Sequence, residues 1–321
     1  MSSLDEAGVI DVVARGELPR PGVLLGIGDD AAVVQPPPGK LMVLATDTLN
    51  EGVHFPVGIA SCDLGHRAVA VNLSDLAAMG ATPAWALLSL SMPAADAEWV
   101  TGFVEGAQRL AKRHDVAIVG GDTVRGPLSV CMHVVGFVEP ERFLARGNAS
   151  PGDAVFVTGH PGDASAGLSL LQSGDSGNRL TDRFLRPQPR TDVGCALGGV
   201  ASAAIDISDG LVTDLRRMAA ASGARFVIEL RDLPLSDALV DLRGADAALQ
   251  HALAGGDDYE LCFTVDPGRE ALLGGLAADW DCGITRIGHV EAGEGLVLLK
   301  DGEPMQVTSL QEWQHFPKAH S

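Results

Sequence analysis

Basic residues are scarce. Among 321 residues, 23 Lys and Arg face 42 Asp and Glu, a formal net charge of −19. With no cationic excess to neutralise phosphates, the chain is a poor candidate for nucleic-acid binding. Long apolar runs are missing too: the richest stretch, residues 84–92, is too short for a bilayer and carries serines. The start, Met-Ser-Ser-Leu-Asp-Glu, lacks a basic segment followed by an apolar one, which argues against a secretory leader and for a cytoplasmic protein. The five cysteines (Cys62, Cys131, Cys195, Cys262, Cys282) form no CxxC pair and read as reduced thiols, most of them core residues. There is no HExxH, Gly39-Lys40 lacks the earlier glycine of a P-loop, and Gly26-Ile-Gly28 lacks the third glycine of a dinucleotide fingerprint. Any nucleotide chemistry must use another route.

An apolar fraction of 46% supplies ample core, and the length suits two packed domains. The breaker cluster Gly147-Asn-Ala-Ser-Pro-Gly152 marks the boundary, giving domains 1–148 and 149–321. Before it, residues 41–45 read as a short buried strand, 116–119 as another, and 128–138 as a longer one. Residues 66–81 and 97–114 have helical periodicity, with Trp99, Phe103, Ala107 and Leu110 on one face. After it, strands are expected at 154–158, 204–207, 226–230, 259–265 and 284–290, and helices at 164–171, 192–203 and 211–221. Two α/β-type domains result.

Aspartate outnumbers glutamate 28 to 14. Most of these acids read as surface charge, turns and caps. Several, however, share one pattern, an apolar segment followed by aspartate among small residues. Asp29 and Asp30 lie in Gly26-Ile-Gly-Asp-Asp-Ala-Ala-Val33, Asp47 in Ala45-Thr-Asp-Thr-Leu49 and Asp122 in Val119-Gly-Gly-Asp-Thr123. Asp206 and Asp209 lie in Ala204-Ile-Asp-Ile-Ser-Asp-Gly-Leu211, and Asn72 and Asp75 stand three apart on one helix face. Strand ends in α/β folds converge on a crevice, and carboxylates gathered there repel unless cations neutralise them. Hard oxygen donors without thiols point to Mg²⁺, which takes its remaining ligands from substrate phosphates. Phosphoryl chemistry is the leading reading.

In order along the chain, Gly26-Ile-Gly-Asp-Asp-Ala-Ala-Val33, Thr46-Asp-Thr-Leu-Asn-Glu-Gly-Val-His-Phe55, Ala68-Val-Ala-Val-Asn-Leu-Ser-Asp-Leu-Ala-Ala-Met-Gly80, Gly120-Gly-Asp-Thr123, Ile207-Ser-Asp-Gly210 and Gly256-Asp-Asp-Tyr-Glu-Leu261 resemble thiamine-monophosphate kinases. These belong to the superfamily of aminoimidazole ribonucleotide synthetase. Glu51-Gly-Val-His-Phe55 and Trp313-Gln-His-Phe316 favour the kinases over their relatives. The resemblance implies ATP- and Mg²⁺-dependent phosphorylation of thiamine monophosphate, with several ions bound. It implies an α+β fold in which the N-terminal sheet-plus-helix domain binds metal and ATP and pairs with a second copy into a dimeric β-barrel. The C-terminal α/β sandwich domain would complete the cleft.

Carried over by motif, Asp30, Thr46, Asp47, Asp75, Asp122, Asp206 and Asp209 resemble metal ligands, with Asp29 contributing directly or through water. Gly121, Asp122, Arg146 and Ser208 resemble nucleotide contacts, and His54, Asp257 and Trp313 contacts to the thiamine moiety. Asp122 and Asp47 would anchor the metals that orient the transferred group. The family pattern Gly-Glu-Asp-Tyr-Glu departs here to Asp257, one methylene shorter. Taken singly, Arg146 reads equally as a surface arginine, His54 as a packed histidine, and Trp313 as an anchor of the C-terminal tail. Two alternatives stay open at this point, an ATP-dependent cyclo-ligase of the same superfamily and a nucleotide-binding maturation protein.

Overall fold

A computed structural model describes residues 3–15 and 20–305. Trp313 and Phe316 lie outside them. The chain forms two compact units, Met1–Phe143 with Pro189–Cys195, and Leu144–Gln188 with Ala196–Ser321.

The first unit begins with α1 (Glu6–Ala14) and a two-stranded ribbon, β1 (Val23–Leu25) and β2 (Val33–Val34). Then come β3 (Leu41–Asn50), α2 (Ser61–Ala78), β4 (Thr82–Met92), α3 (Ala97–Arg113), β5 (Ala117–Arg125) and β6 (Ser129–Val138). The last four strands make a sheet ordered β3-β6-β4-β5, antiparallel except for the parallel β4–β5 pair. Helix α3 starts where Asp96 accepts a bond from the Trp99 N–H and ends on Lys112 and Arg113, both favourable to the helix dipole. Trp99 stacks on Phe103 with ring centroids 5.5 Å apart. Two glycines let α2 and α3 approach closely: a Cβ at Gly65 would collide with the Phe103 carbonyl, and one at Gly106 with that of Cys62. The ribbon brings Val23 and Val34 onto Trp85, Val119 and Phe137, and the Trp85 and Phe137 rings meet edge-on.

Strand β3 differs from its expectation. It runs for ten residues, includes Asp47 rather than ending before it, and is an edge strand. Leu41, Met42 and Leu44 are 44%, 47% and 69% exposed. Their apolar run resembles a strand buried on both faces; here Met42 and Leu44 on one face and Leu41 on the other are exposed among the described residues. Strand β5 likewise extends through Asp122 to Arg125. The stretch 84–92, read from sequence only for its hydropathy, lies in β4.

Residues 189–195, expected in the second domain, join the first unit. His114 Nδ1 lies 2.8 Å from Thr191 Oγ1, and Gly194 abuts Ala77 so closely that a Cβ there would strike the Ala77 carbonyl.

The second unit contains β7 (Ala154–Thr158), α4 (Asp163–Gln172), α5 (Arg179–Leu185), the end of α6 (Thr191–Leu197), β8 (Ala203–Ile207), α7 (Leu211–Ser222) and β9 (Arg225–Glu229). It continues with α8 (Asp237–Arg243), α9 (Ala245–Ala254), β10 (Glu260–Val265), α10 (Glu270–Ala277), β11 (Ile284–Glu291), β12 (Gly295–Lys300) and β13 (Glu303–Met305). Its seven-stranded sheet is ordered β13-β12-β9-β11-β7-β10-β8. Only β9–β12 is parallel. Leu211, Leu215 and Met218 of α7 pack with Ile205, Ile207, Phe226 and Ile228 into the main core, while Ala166, Leu170, Leu180, Leu239 and Ala248 form a smaller one.

The architecture is mixed α and β, and among the described residues no sheet closes into a barrel. The mainly antiparallel pairing also removes the doubly-wound crevice as the reason for strand-terminal aspartates. The helix expected over 192–203 ends at Leu197.

Candidate active site

In the first unit the aspartates hang on β3, α2, β5 and the turn after β1. Asp30 sits in that turn, where its N–H donates to Asp29 Oδ1 at 2.8 Å. On β3, Thr46 Oγ1 donates to the Met132 carbonyl at 2.9 Å, and the Asp47 N–H donates to Asn72 Oδ1 at 2.9 Å. Asn72 is buried and also donates to the Ala68 carbonyl, so its amide fixes the backbone of β3 against α2. Asp75, half-buried, is one turn further along α2. Asp47 is therefore close to the helix face that carries Asp75.

Asp122 lies elsewhere on the sheet. Asp47 pairs with Met132, Met132 with Leu88, and Leu88 with Gly121, so Asp47 and Gly121 share one row at opposite edges. Three strand spacings separate those edges by about 14 Å. Gly121 is required where it is, because a Cβ there would strike the Leu88 backbone. His54 follows β3 on a tight turn, and its Nδ1 accepts from the Asn50 N–H at 3.0 Å. A neutral ring so held carries its proton on Nε2.

In the second unit the motif 206–210 joins β8 to α7. The Ser208 and Asp209 N–H groups both donate to Asp214 Oδ2 at 3.1 Å. Arg217 reaches Asp209 at 2.5 Å and Asp214 at 2.7 Å. Burial raises the Asp214 pKa to about 7, the charge of Asp206 pushes the same way, and Arg217 opposes both. Asp206 and Asp209 thus act electrostatically on Asp214, and Arg217 pairs with both Asp209 and Asp214.

The turn after α9 is stitched to that motif. The Asp257 N–H donates to the Ser208 carbonyl and the Tyr259 N–H to the Ile207 carbonyl, both at 2.8 Å. Arg146 is exposed, and its carbonyl accepts from Ser222 at the C-terminal end of α7, whereas Ser208 precedes the N-terminal end. The twelve residues of α7 put about 18 Å between those ends. The structure therefore does not bring Arg146 and Ser208 together.

Among the described residues no three His, Cys, Asp or Glu side chains form a ready ligand cage. Magnesium seldom uses one; it binds through one or two carboxylates, and substrate phosphates complete its shell.

Two family models match in tandem, AIR synthase related protein, N-terminal domain, over residues 28–138, and its C-terminal domain over residues 150–301. The chain is 45% identical over 305 residues to thiamine-monophosphate kinase of Escherichia coli (strain K12), covering 92% of both. The chain belongs to the thiamine-monophosphate kinase family. The crystal structure of thiamine-monophosphate kinase from Stenotrophomonas maltophilia K279a matches with a TM-score of 0.85 and 44% identity, covering 95% of this chain and 99% of that one. AaThiL complexed with AMPPCP and TMP matches with a TM-score of 0.77 and 35% identity, covering 97% of each.

Several buried polar groups of this thiamine-monophosphate kinase family member are not among the candidate site residues named above. Asp214 is the clearest: it lies on the apolar face of α7 with Leu211, Leu215 and Met218, a carboxylate where helical spacing calls for a hydrophobe. That misplacement was the available signal. Asp258 and Glu260, both buried, carried a weaker one, since Glu260 opens the apolar strand β10 and Asp258 lies two residues before it.

Proposed function

We propose that this chain transfers the γ-phosphoryl group of ATP to thiamine monophosphate, producing thiamine diphosphate by direct in-line attack. The observation that carries the reading is the full-length likeness to AaThiL complexed with AMPPCP and TMP. Neither the cyclo-ligase nor the maturation-protein alternative is favoured by the relatives.

Phosphoryl transfer asks a protein for positioning and charge neutralisation more than for covalent chemistry. Asp30, Thr46, Asp47, Asp75 and Asp122 of the first unit and Asp206 and Asp209 of the second are the residues that would hold Mg²⁺. When bound, Mg²⁺ supplies positive charge against the phosphate oxygens. Gly121 offers bare backbone for close approach of the nucleotide, with Asp122, Arg146 and Ser208 as further nucleotide contacts. His54, held in one tautomer by Asn50, is suited to donate from Nε2 to the thiamine substrate. Asp257 and Trp313 are its other contacts. A terminal phosphate oxygen is already nucleophilic at neutral pH, so no residue acts as general base.

The same reading includes a homodimer in which the four-stranded sheets of two copies pair into a barrel. Support comes from the uncovered edge strand β3 with Leu41, Met42 and Leu44 exposed, since monomers rarely leave such an edge open.

The decisive experiment incubates purified protein with ATP, Mg²⁺ and thiamine monophosphate. Thiamine diphosphate formed together with one ADP each supports the reading. ATP consumed only in the presence of an aminoimidazole precursor would assign the chain to the cyclo-ligases.

A further inference from the structure

The chain has a single tyrosine, Tyr259, and it lies two residues after Asp257. The segment between α9 and β10 that holds both is unusual. Asp257 has φ 70° and Tyr259 φ 51°, left-handed conformations that cost a non-glycine residue about 1–3 kcal/mol each. Strain of this kind persists only where the surroundings over-determine it. Here they do. Asp258, between the two, is buried and accepts from the Gly162 N–H at 2.7 Å and the Ala164 N–H at 3.3 Å, at the start of α4. Glu260, fully buried, is gripped by Arg183 and by Thr158 Oγ1 at 2.6 Å. The Asp257 and Tyr259 N–H groups are tied to β8 as described above.

Two buried carboxylates and two backbone bonds thus force the alternate residues, Asp257 and Tyr259, to the same side of the turn. The Tyr259 hydroxyl then donates to Asp257 Oδ1 at 3.2 Å. Tyr259 itself is 7% exposed, so its ring cannot swing away without opening the core.

We propose that Tyr259 is a positioning residue for the thiamine substrate, holding the short Asp257 carboxylate in the one orientation that accepts the amino group of the pyrimidine. This rests on the kinase reading above and deepens it. An aspartate has one rotatable bond fewer than glutamate and a shorter reach, so its acceptor direction matters more. The phenol contributes to that direction: with one oxygen bonded to Tyr259, rotation of the carboxylate is restrained. The phenol does not touch the reacting phosphates, so its effect falls on substrate capture and not on transfer.

Tyr259→Phe keeps the buried ring and deletes the donor. The expected result is a five- to tenfold higher apparent KM for thiamine monophosphate, with kcat and the KM for ATP within twofold and Tm unchanged. The same substitution made on Asp257→Asn should add little further, because Tyr259 acts through that carboxylate. Equal KM changes for both substrates, a lowered Tm with unchanged KM, or additive effects in the double variant would overturn the proposal. Wild-type protein that makes no thiamine diphosphate would instead remove the kinase reading on which it stands, a failure seen before any variant is tested.

Discussion

Arg183 and Glu260 form an ion pair of 2.5 Å in which the carboxylate is wholly buried and the guanidinium side chain is 17% exposed. The pair joins α5 to the first residue of β10, beside the strained turn that carries Asp257. Removing one partner of a buried pair leaves an uncompensated charge and costs about 3–5 kcal/mol, whereas replacing both by apolar residues often costs little. Arg183→Met should therefore lower stability in chemical denaturation far more than Arg183→Met with Glu260→Met. A double variant as unstable as the single one would show that the pair is needed for its hydrogen bonds and not merely for its balance of charge.

Asp214 gives a pH dependence with a definite sign. Its folded-state pKa is raised to about 7 from 3.8, with burial the leading cause. As pH rises, the unfolded chain loses this proton first, so the folded state binds the extra proton and stability declines between about pH 4 and 7. The decline levels off above pH 7 and amounts to about 4 kcal/mol at most, at roughly 1.36 kcal/mol per pH unit. Thermal unfolding of metal-free protein should show it, and Asp214→Asn should flatten the curve. If Mg²⁺ binds Asp206 and Asp209 as proposed, its addition should weaken the slope. A wild-type curve that rises across this window contradicts the assignment.

Asp122 is exposed at one edge of the four-stranded sheet, so its carboxylate contributes little to the core. Asp122→Asn should reduce turnover by about 10²–10³-fold, the scale of losing one electrostatic contact to the transition state. Circular dichroism and Tm should stay as in the wild type. Near-normal turnover with Mg²⁺ would remove Asp122 from the site.

Gly106 bears only on packing. A Cβ there would meet the Cys62 carbonyl, a backbone atom that cannot rotate aside. Gly106→Ala should push α2 from α3 and cost about 1–3 kcal/mol or more, despite alanine's better helix propensity. Because α2 carries Asn72 and Asp75, activity should fall more steeply on heating than in the wild type. Unchanged Tm would mean that the two helices can part freely.

Much of the second unit was legible because its strands are short, buried and apolar: β7, β8, β10 and β11 lie within a residue of their expected positions. The first unit was less legible. In β3 the apolar residues before Asp47 and the polar ones after it read as a strand followed by a loop, yet the backbone continues as strand to Asn50. Cross-strand bonding to β6, which no local pattern encodes, decides that extension. Short motifs single out Asp47, Asp122 and Asp209 as candidates, because their neighbours are small residues. They could not mark Asp214, Glu260 or Arg183, whose roles depend on partners brought from other elements or from the opposite end of a loop. The distance along α7 between Arg146 and Ser208 was equally beyond a linear reading.

The return of residues 189–195 to the first unit has a consequence for synthesis on the ribosome. The first 143 residues leave the exit tunnel well before this segment does. Until then Ala77 lacks its neighbour Gly194 and His114 its partner Thr191. The nascent first unit must wait, partly finished, while β7, α4 and α5 are translated. Cutting the gene at the apparent boundary would make that pause permanent, so an isolated N-terminal fragment should be metastable unless the peptide 189–195 is supplied in trans.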